Sequence, residues 1–154
     1  LAILCNINYN RPHLARTQEA GVPIATDVHT ISDINDEYNV DFMAAANILF
    51  LSDEKLPCCP EEFARRLQER YDTAVIVIGL GQRGALLSVR DDNFLERVPA
   101  VQTCPVVNTI GAGTRFSQVL ITTTTILATP MRRLRKRSFS LPIRLAKQAR
   151  LKDS

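Results

Sequence analysis

Four short apolar runs, separated by stretches of helical composition, constrain this chain more than any other feature. Leu1–Ile7, the end of the stretch Gly21–Asp27, Asn47–Leu51 and Ala74–Ile78 read as strands, the last the clearest buried one. Between them, Arg11–Ala20 opens with Pro12, which is tolerated in a first helical turn. Glu37–Ala46 is helical in composition. Pro60–Tyr71 has acids early and bases late, matching the helix dipole, with Phe63 and Leu67 four apart. This β-α-β-α-β-α-β order predicts an α/β domain around a mainly parallel sheet. Ala85–Val89 and Phe94–Val98 then predict a hairpin around Arg90–Asn93. A chain of 154 residues is long enough for one such domain with a real core.

In open α/β sheets, ligands bind beyond the carboxyl ends of the strands. Asp27, Ser52–Glu54 and the glycine run Gly79-Leu80-Gly81-Gln82-Arg83-Gly84 fall there. The run matches G-x-G-x-x-G, but a dinucleotide site also needs a helix opening at the glycines and an acid about 20 residues on. Neither fits, because Ala85-Leu86-Leu87-Ser88-Val89 follows and reads as a strand. Ser52–Glu54 reads either as a helix N-cap with acids in its first turn or as an element carrying a metal-associated acid. Asp27 either caps the next loop or lines the same cleft. His13 and His29 belong to no pattern, and no Walker P-loop is present.

The stretch Val106-Val107-Asn108-Thr109-Ile110-Gly111-Ala112-Gly113 ends an apolar run on residues with almost no side chains. Such a turn brings backbone N–H groups close to an anion, and a helix starting there adds its positive end. Small residues at a strand–helix turn also serve plain packing. The longer string Asn-Thr-Ile-Gly-Ala-Gly resembles the signature of the ribokinase-like (PfkB) sugar and nucleoside kinases, Asp/Asn-Thr-x-Gly-Ala-Gly-Asp. The resemblance covers roughly residues 1–113 and implies a three-layer α/β/α fold, of which this would be the C-terminal half. It also implies ATP and Mg²⁺ as cofactors, a sugar or nucleoside as acceptor and a cytoplasmic location. Gly111, Ala112 and Gly113 would form the anion hole, while Asn108 and Thr109 would sit on the nucleotide side. The glycine run is similar to the family turn Thr-x-Gly-x-x-Gly-Ala, which places Gly79, Gly81 and Gly84 over the nucleotide phosphates. Gly79 stands where Thr is common and has no hydroxyl to offer. Ser52–Glu54 falls where the family often has Asn-x-x-Glu, making Glu54 the candidate metal-associated acid, although Lys55 stands three after Ser52. The family's catalytic Asp is absent, and Thr114 occupies its position.

Charge divides the chain at the same region. Residues 1–130 hold 10 Lys/Arg against 15 Asp/Glu, a balance of −5, whereas residues 131–154 hold 9 against 1, a balance of +8. Thr122–Thr125 and the run Arg132–Arg137 are odd company for an acidic α/β domain. One reading is a basic arm for nucleic acid or anionic membrane. A second is a shifted reading frame. Moved back by one base, the codons permitted after Gly113 are compatible with Gly-Ala-Gly-Asp-Ala-Phe and an amphipathic helical continuation. The expected division is therefore a partial kinase domain over 1–113 and a basic, frameshifted or disordered tail over 114–154. The beginning Leu-Ala-Ile-Leu-Cys-Asn reads as a cut within a strand. Cys5, Cys58, Cys59 and Cys104 have no metal spacing and read as reduced thiols. No apolar run is long enough to span a bilayer. A chain lacking the catalytic Asp is expected to be inactive, the alternatives being a nucleotide-binding regulator or a basic-tailed binding module. Without the missing elements its sheet is expected to expose apolar faces and edges.

Overall fold

The computed structural model describes residues 1–100. Six strands form one sheet in sequence order, β1 (Ala2–Ile3), β2 (Ile24–Thr30), β3 (Ile48–Ser52), β4 (Val75–Gly79), β5 (Ala85–Val89) and β6 (Phe94–Val98). β1 to β4 pair in parallel, and β5 and β6 turn back as an antiparallel hairpin. The crossovers carry α1 (Arg11–Glu19), α2 (Val40–Ala45) and α3 (Pro60–Arg70). The expected alternation, the mainly parallel sheet and the hairpin are all present.

Strand alternation sorts the core into two sets. Ile24, Leu49, Leu51, Ile76, Ile78 and Leu86 join Leu14 of α1, Phe42 and Met43 of α2, and Phe63 and Leu67 of α3. The intervening residues Ala25, Phe50, Val75, Val77, Ala85 and Leu87 form the second set on the opposite face. Both sets are buried, yet none of the three helices contributes to the second. Right-handed crossovers explain this: strands added successively in one direction put every connecting helix on the same side. The three described helices thus make one of the layers of the expected α/β/α arrangement.

Boundaries moved where polar side chains intervene. β1 covers only Ala2–Ile3 of the expected Leu1–Ile7, because Asn10 Nδ2 donates to Cys5 O at 2.9 Å and folds residues 5–10 into a turn. The second helix starts at Val40, not Glu37. Asp36 Oδ1 accepts from Asn39 N at 2.9 Å and from Asn39 Nδ2 at 3.0 Å, which holds residues 37–39 as a turn. Asn47 precedes β3 instead of opening it. Its Oδ1 accepts from Ile24 N at 2.8 Å while its own N donates to Ile24 O at 2.9 Å, so one residue closes the start of β2. β2 runs past Asp27 to Thr30, with an irregularity in its pairing between those residues.

Candidate functional site

The parallel strands end along one ledge. Thr30, Ser52 and Gly79 stand in a row across β2, β3 and β4, and the segments that follow lie beside one another. Inside β2, at the irregularity in its pairing, Asp27 Oδ1 accepts from His29 N at 2.8 Å, and His29 adopts a left-handed backbone with φ of 58°. Asp27 therefore holds an irregularity within the strand, and it is not the strand-end cap of the following loop that the sequence suggested. After β3, Asp53–Lys55 form a single 3-10 turn, and Ser52 Oγ accepts from Glu54 N at 3.4 Å. Ser52 is thus an N-cap. Glu54 is exposed.

The glycine run makes the third wall. Gly81–Arg83 form a 3-10 turn, not the start of an α-helix, and β5 follows, so the dinucleotide reading fails on geometry. Its three glycines differ physically. Gly79 ends β4 opposite Ser52, and a Cβ there would meet Leu51 O at an ordinary 3.7 Å. Gly81 has φ of 59° and nothing within 4 Å of a Cβ, leaving an open, side-chain-free approach to the turn. Gly84 has φ of 93°, and a Cβ would fall 2.0 Å from Val98 O and 2.7 Å from Ala100 N. Gly84 is thus fixed by close backbone packing against the end of β6. The turn is closed by Leu80 N donating to Gly84 O at 2.8 Å.

Arg83 links the walls. Its Nη2 donates to Asp53 Oδ2 in an ion pair spanning 30 residues of sequence. The Arg83 side chain is 61% exposed and that of Asp53 only 17%. The sequence reading selected the glycines and Glu54 and passed over this pair.

No family model and no curated protein matches this chain. Solved structures do. A microbiome-derived acarbose kinase superposes with a TM-score of 0.62 at 26% identity, over 71% of this chain and 37% of its own. The Burkholderia thailandensis nucleoside kinase, in complex with ADP-inosine, gives 0.55 at 22% identity over 75% and 37%. The Thermotoga maritima ribokinase gives 0.56 at 17% over 72% and 38%. The described part of this chain has a ribokinase-like fold. The chain spans between 37% and 38% of the length of these three structures.

Within this ribokinase-like fold, Gly79, Gly81, Gly84 and Glu54 share the ledge. Asn108, Thr109, Gly111, Ala112, Gly113 and Thr114 lie outside the described residues, as does the whole tail 114–154. Among the described residues no group of three metal-capable side chains assembles. No described helix is long and apolar enough to cross a membrane. Among the described residues, Cys5, Cys58 and Cys59 are not paired with one another. Burial pushes the Cys58 thiol up, with Glu62 adding to it, so Cys58 is not activated as a nucleophile. His13 packs its ring 5.8 Å from that of Tyr9, away from any acid–base partner shown.

Proposed function

We propose that this chain is the C-terminal part of a kinase core that moves the γ-phosphoryl group of ATP to a hydroxyl of a sugar or nucleoside. The observation that carries the reading is the open turn at Gly81, set on the strand-end ledge of a fold whose solved counterparts are kinases. A phosphate fits there because no side chain fills the approach and the left-handed backbone leaves the turn uncovered. Mg²⁺ is commonly held by one or two carboxylates plus substrate phosphates, and the exposed Glu54 is the candidate carboxylate. When bound, the ion would neutralise charge on the phosphates.

The proposed domain division follows the sequence, with a kinase part over 1–113 and a tail over 114–154. The amides of Gly111, Ala112 and Gly113 would stabilise negative charge on the transferring group, and Asn108 and Thr109 would border the nucleotide. The residue after Gly113 would take the proton from the acceptor hydroxyl. Thr114 cannot, since a hydroxyl is not appreciably basic near neutral pH. The chain as written therefore binds nucleotide without transferring phosphate, and the frame after Gly113 is shifted.

The test is a fresh read of the DNA across the Gly113 and Thr114 codons, paired with ADP titration and an ADP-release assay over a panel of sugars and nucleosides. ADP binding without turnover, together with a recovered base that restores Asp, supports the reading. Turnover by this exact polypeptide overturns the assigned inactivity, and absence of nucleotide binding overturns the kinase reading. The basic composition of residues 131–154 favours a second reading, a binding module for nucleic acid or anionic membrane. Salt-sensitive RNA or vesicle binding, lost on deleting 131–154, would select it.

A further inference from the structure

β3 and β4 are apolar on both faces, and a strand of that kind has to be covered twice. α1, α2 and α3 cover one face. No described helix packs on the other. Yet on that second face Ala25 is 0%, Val77 2% and Phe50 4% exposed in the single chain. The β5–β6 hairpin does not supply this cover. Phe94 and Val98 pack against the set from β6, and β3, which carries Phe50, stands three strands away. Three strand spacings are about 14 Å, beyond the reach of a side chain.

We infer that residues 101–130 of this chain dock on the second face of the sheet and complete its core, while the basic residues 131–154 stay off it. The residue types decide which part of the remaining chain fits. Residues 101–130 hold a single charged side chain, Arg115, and bring Phe116, Val119, Leu120, Ile121, Ile126 and Leu127. Residues 131–154 hold 9 Lys/Arg against 1 Asp/Glu, and burying unpaired cations against an apolar face is costly. Arg115 can lay its stem on the apolar surface and keep its guanidinium in water at the rim. The reach is ample. Backbone at Val98 and Ala100 packs closely against Gly84, which fixes where the chain leaves β6. Thirty residues span about 45 Å even as one helix, against the 14 Å or so from β6 to β3. A second copy is the other possible occupant, but the face is already buried within one chain. The docking is independent of the kinase reading, because it rests on a covered face and on residue types, including those after Thr114 where the family signature has ended.

The test uses the full chain with photo-reactive benzoylphenylalanine in place of Phe94, a position only partly buried and so tolerant of a larger ring. The irradiated protein is mapped by mass spectrometry, and thermal unfolding is compared with wild type. Wild type is also digested briefly with trypsin. The expected result is an adduct within one chain, joining position 94 to a peptide from residues 101–130. Trypsin should cut the run Arg132–Arg137 about tenfold or more faster than the bond after Arg115, since a docked segment is cleaved only when it opens. Adducts joining two copies assign the face to a dimer and overturn the inference. Adducts only to residues 131–154, or none to residues 101–130, overturn it as well. If the substituted chain unfolds earlier than wild type, the digestion of wild type decides alone, and cleavage after Arg115 as fast as in the basic run overturns the docking. The kinase reading stands or falls separately, on ADP titration.

Discussion

Gly79, Gly81 and Gly84 look equivalent in a motif and are three different residues in the structure. Only Gly84 combines a left-handed backbone with neighbours that leave no room, since a Cβ would lie 2.0 Å from Val98 O. Relief would require moving backbone at residues 98–100, not a flexible side chain. Gly84→Ala is expected to cost about 3 kcal/mol or more, from strain and overpacking together. Gly81→Ala meets open space and pays only for φ, about 1 kcal/mol. Gly79→Thr meets nothing closer than 3.7 Å and lies in a strand. It should leave stability unchanged or raise it by up to about 1 kcal/mol. Urea unfolding of the three variants checks this order, and a Gly84→Ala protein as stable as Gly81→Ala would refute the packing argument.

α3 shows how one element is finished by a residue far along the chain. Its start is set by Pro60, its early acids Glu61 and Glu62 suit the dipole, and Phe63 and Leu67 bury one face. Its end depends on Arg90, at the start of the β5–β6 turn. The Arg90 guanidinium donates to Gln68 O and Tyr71 O, and its Nε donates to Thr73 O at 3.3 Å. These carbonyls at and beyond the helix end would otherwise lack donors, and the cation also complements the negative end of the dipole. Nearby, Tyr71 OH donates to Ile34 O at 2.6 Å, and burial raises the tyrosine above its ordinary pKa. Arg90→Ala is expected to cost about 2 kcal/mol by loss of charged hydrogen bonds. It should also speed amide hydrogen exchange in the last turn of α3. Unchanged exchange there would show that the helix end is closed without Arg90.

At the scale of the whole molecule, the outermost strand is tied across the sheet to a helix. Arg97 of β6 donates from Nε to Glu61 Oε1 of α3 at 2.7 Å. That hydrogen bond from Arg97 holds Glu61 below the ordinary glutamate value of 4.5. A carboxylate whose folded pKa is lowered stabilises the fold above the unfolded value and loses that contribution as pH falls through the folded value. Wild type should therefore be more stable than Glu61→Gln at neutral pH, and the difference should shrink in acid below the ordinary glutamate range. A constant difference across pH, measured by unfolding, would remove this pair from the account. At the opposite edge, Ile3 of β1 and the preceding Leu1 are exposed.

The element order was legible in the sequence because burial leaves a periodic mark. Ile76 and Ile78 on one face, with Val75 and Val77 on the other, need a strand covered on both sides, and Phe63 with Leu67 needs a helix. The rejection of a dinucleotide turn was equally legible, since Ala85–Val89 is an apolar run where a helix would have to begin. Boundaries were not, because Asp36 and Asn47 divert the backbone through side-chain bonds that have no periodicity. The site was half legible. Gly81 and Gly84 stood out, whereas the Arg83–Asp53 pair did not, being 30 residues apart in the chain. The sequence by itself determined which segments become strands and helices, since that depends on local pattern and on the faces each must bury. Only the tertiary structure decided which charges meet at the strand ends and why Gly84 must be glycine, since both follow from segments brought together through space.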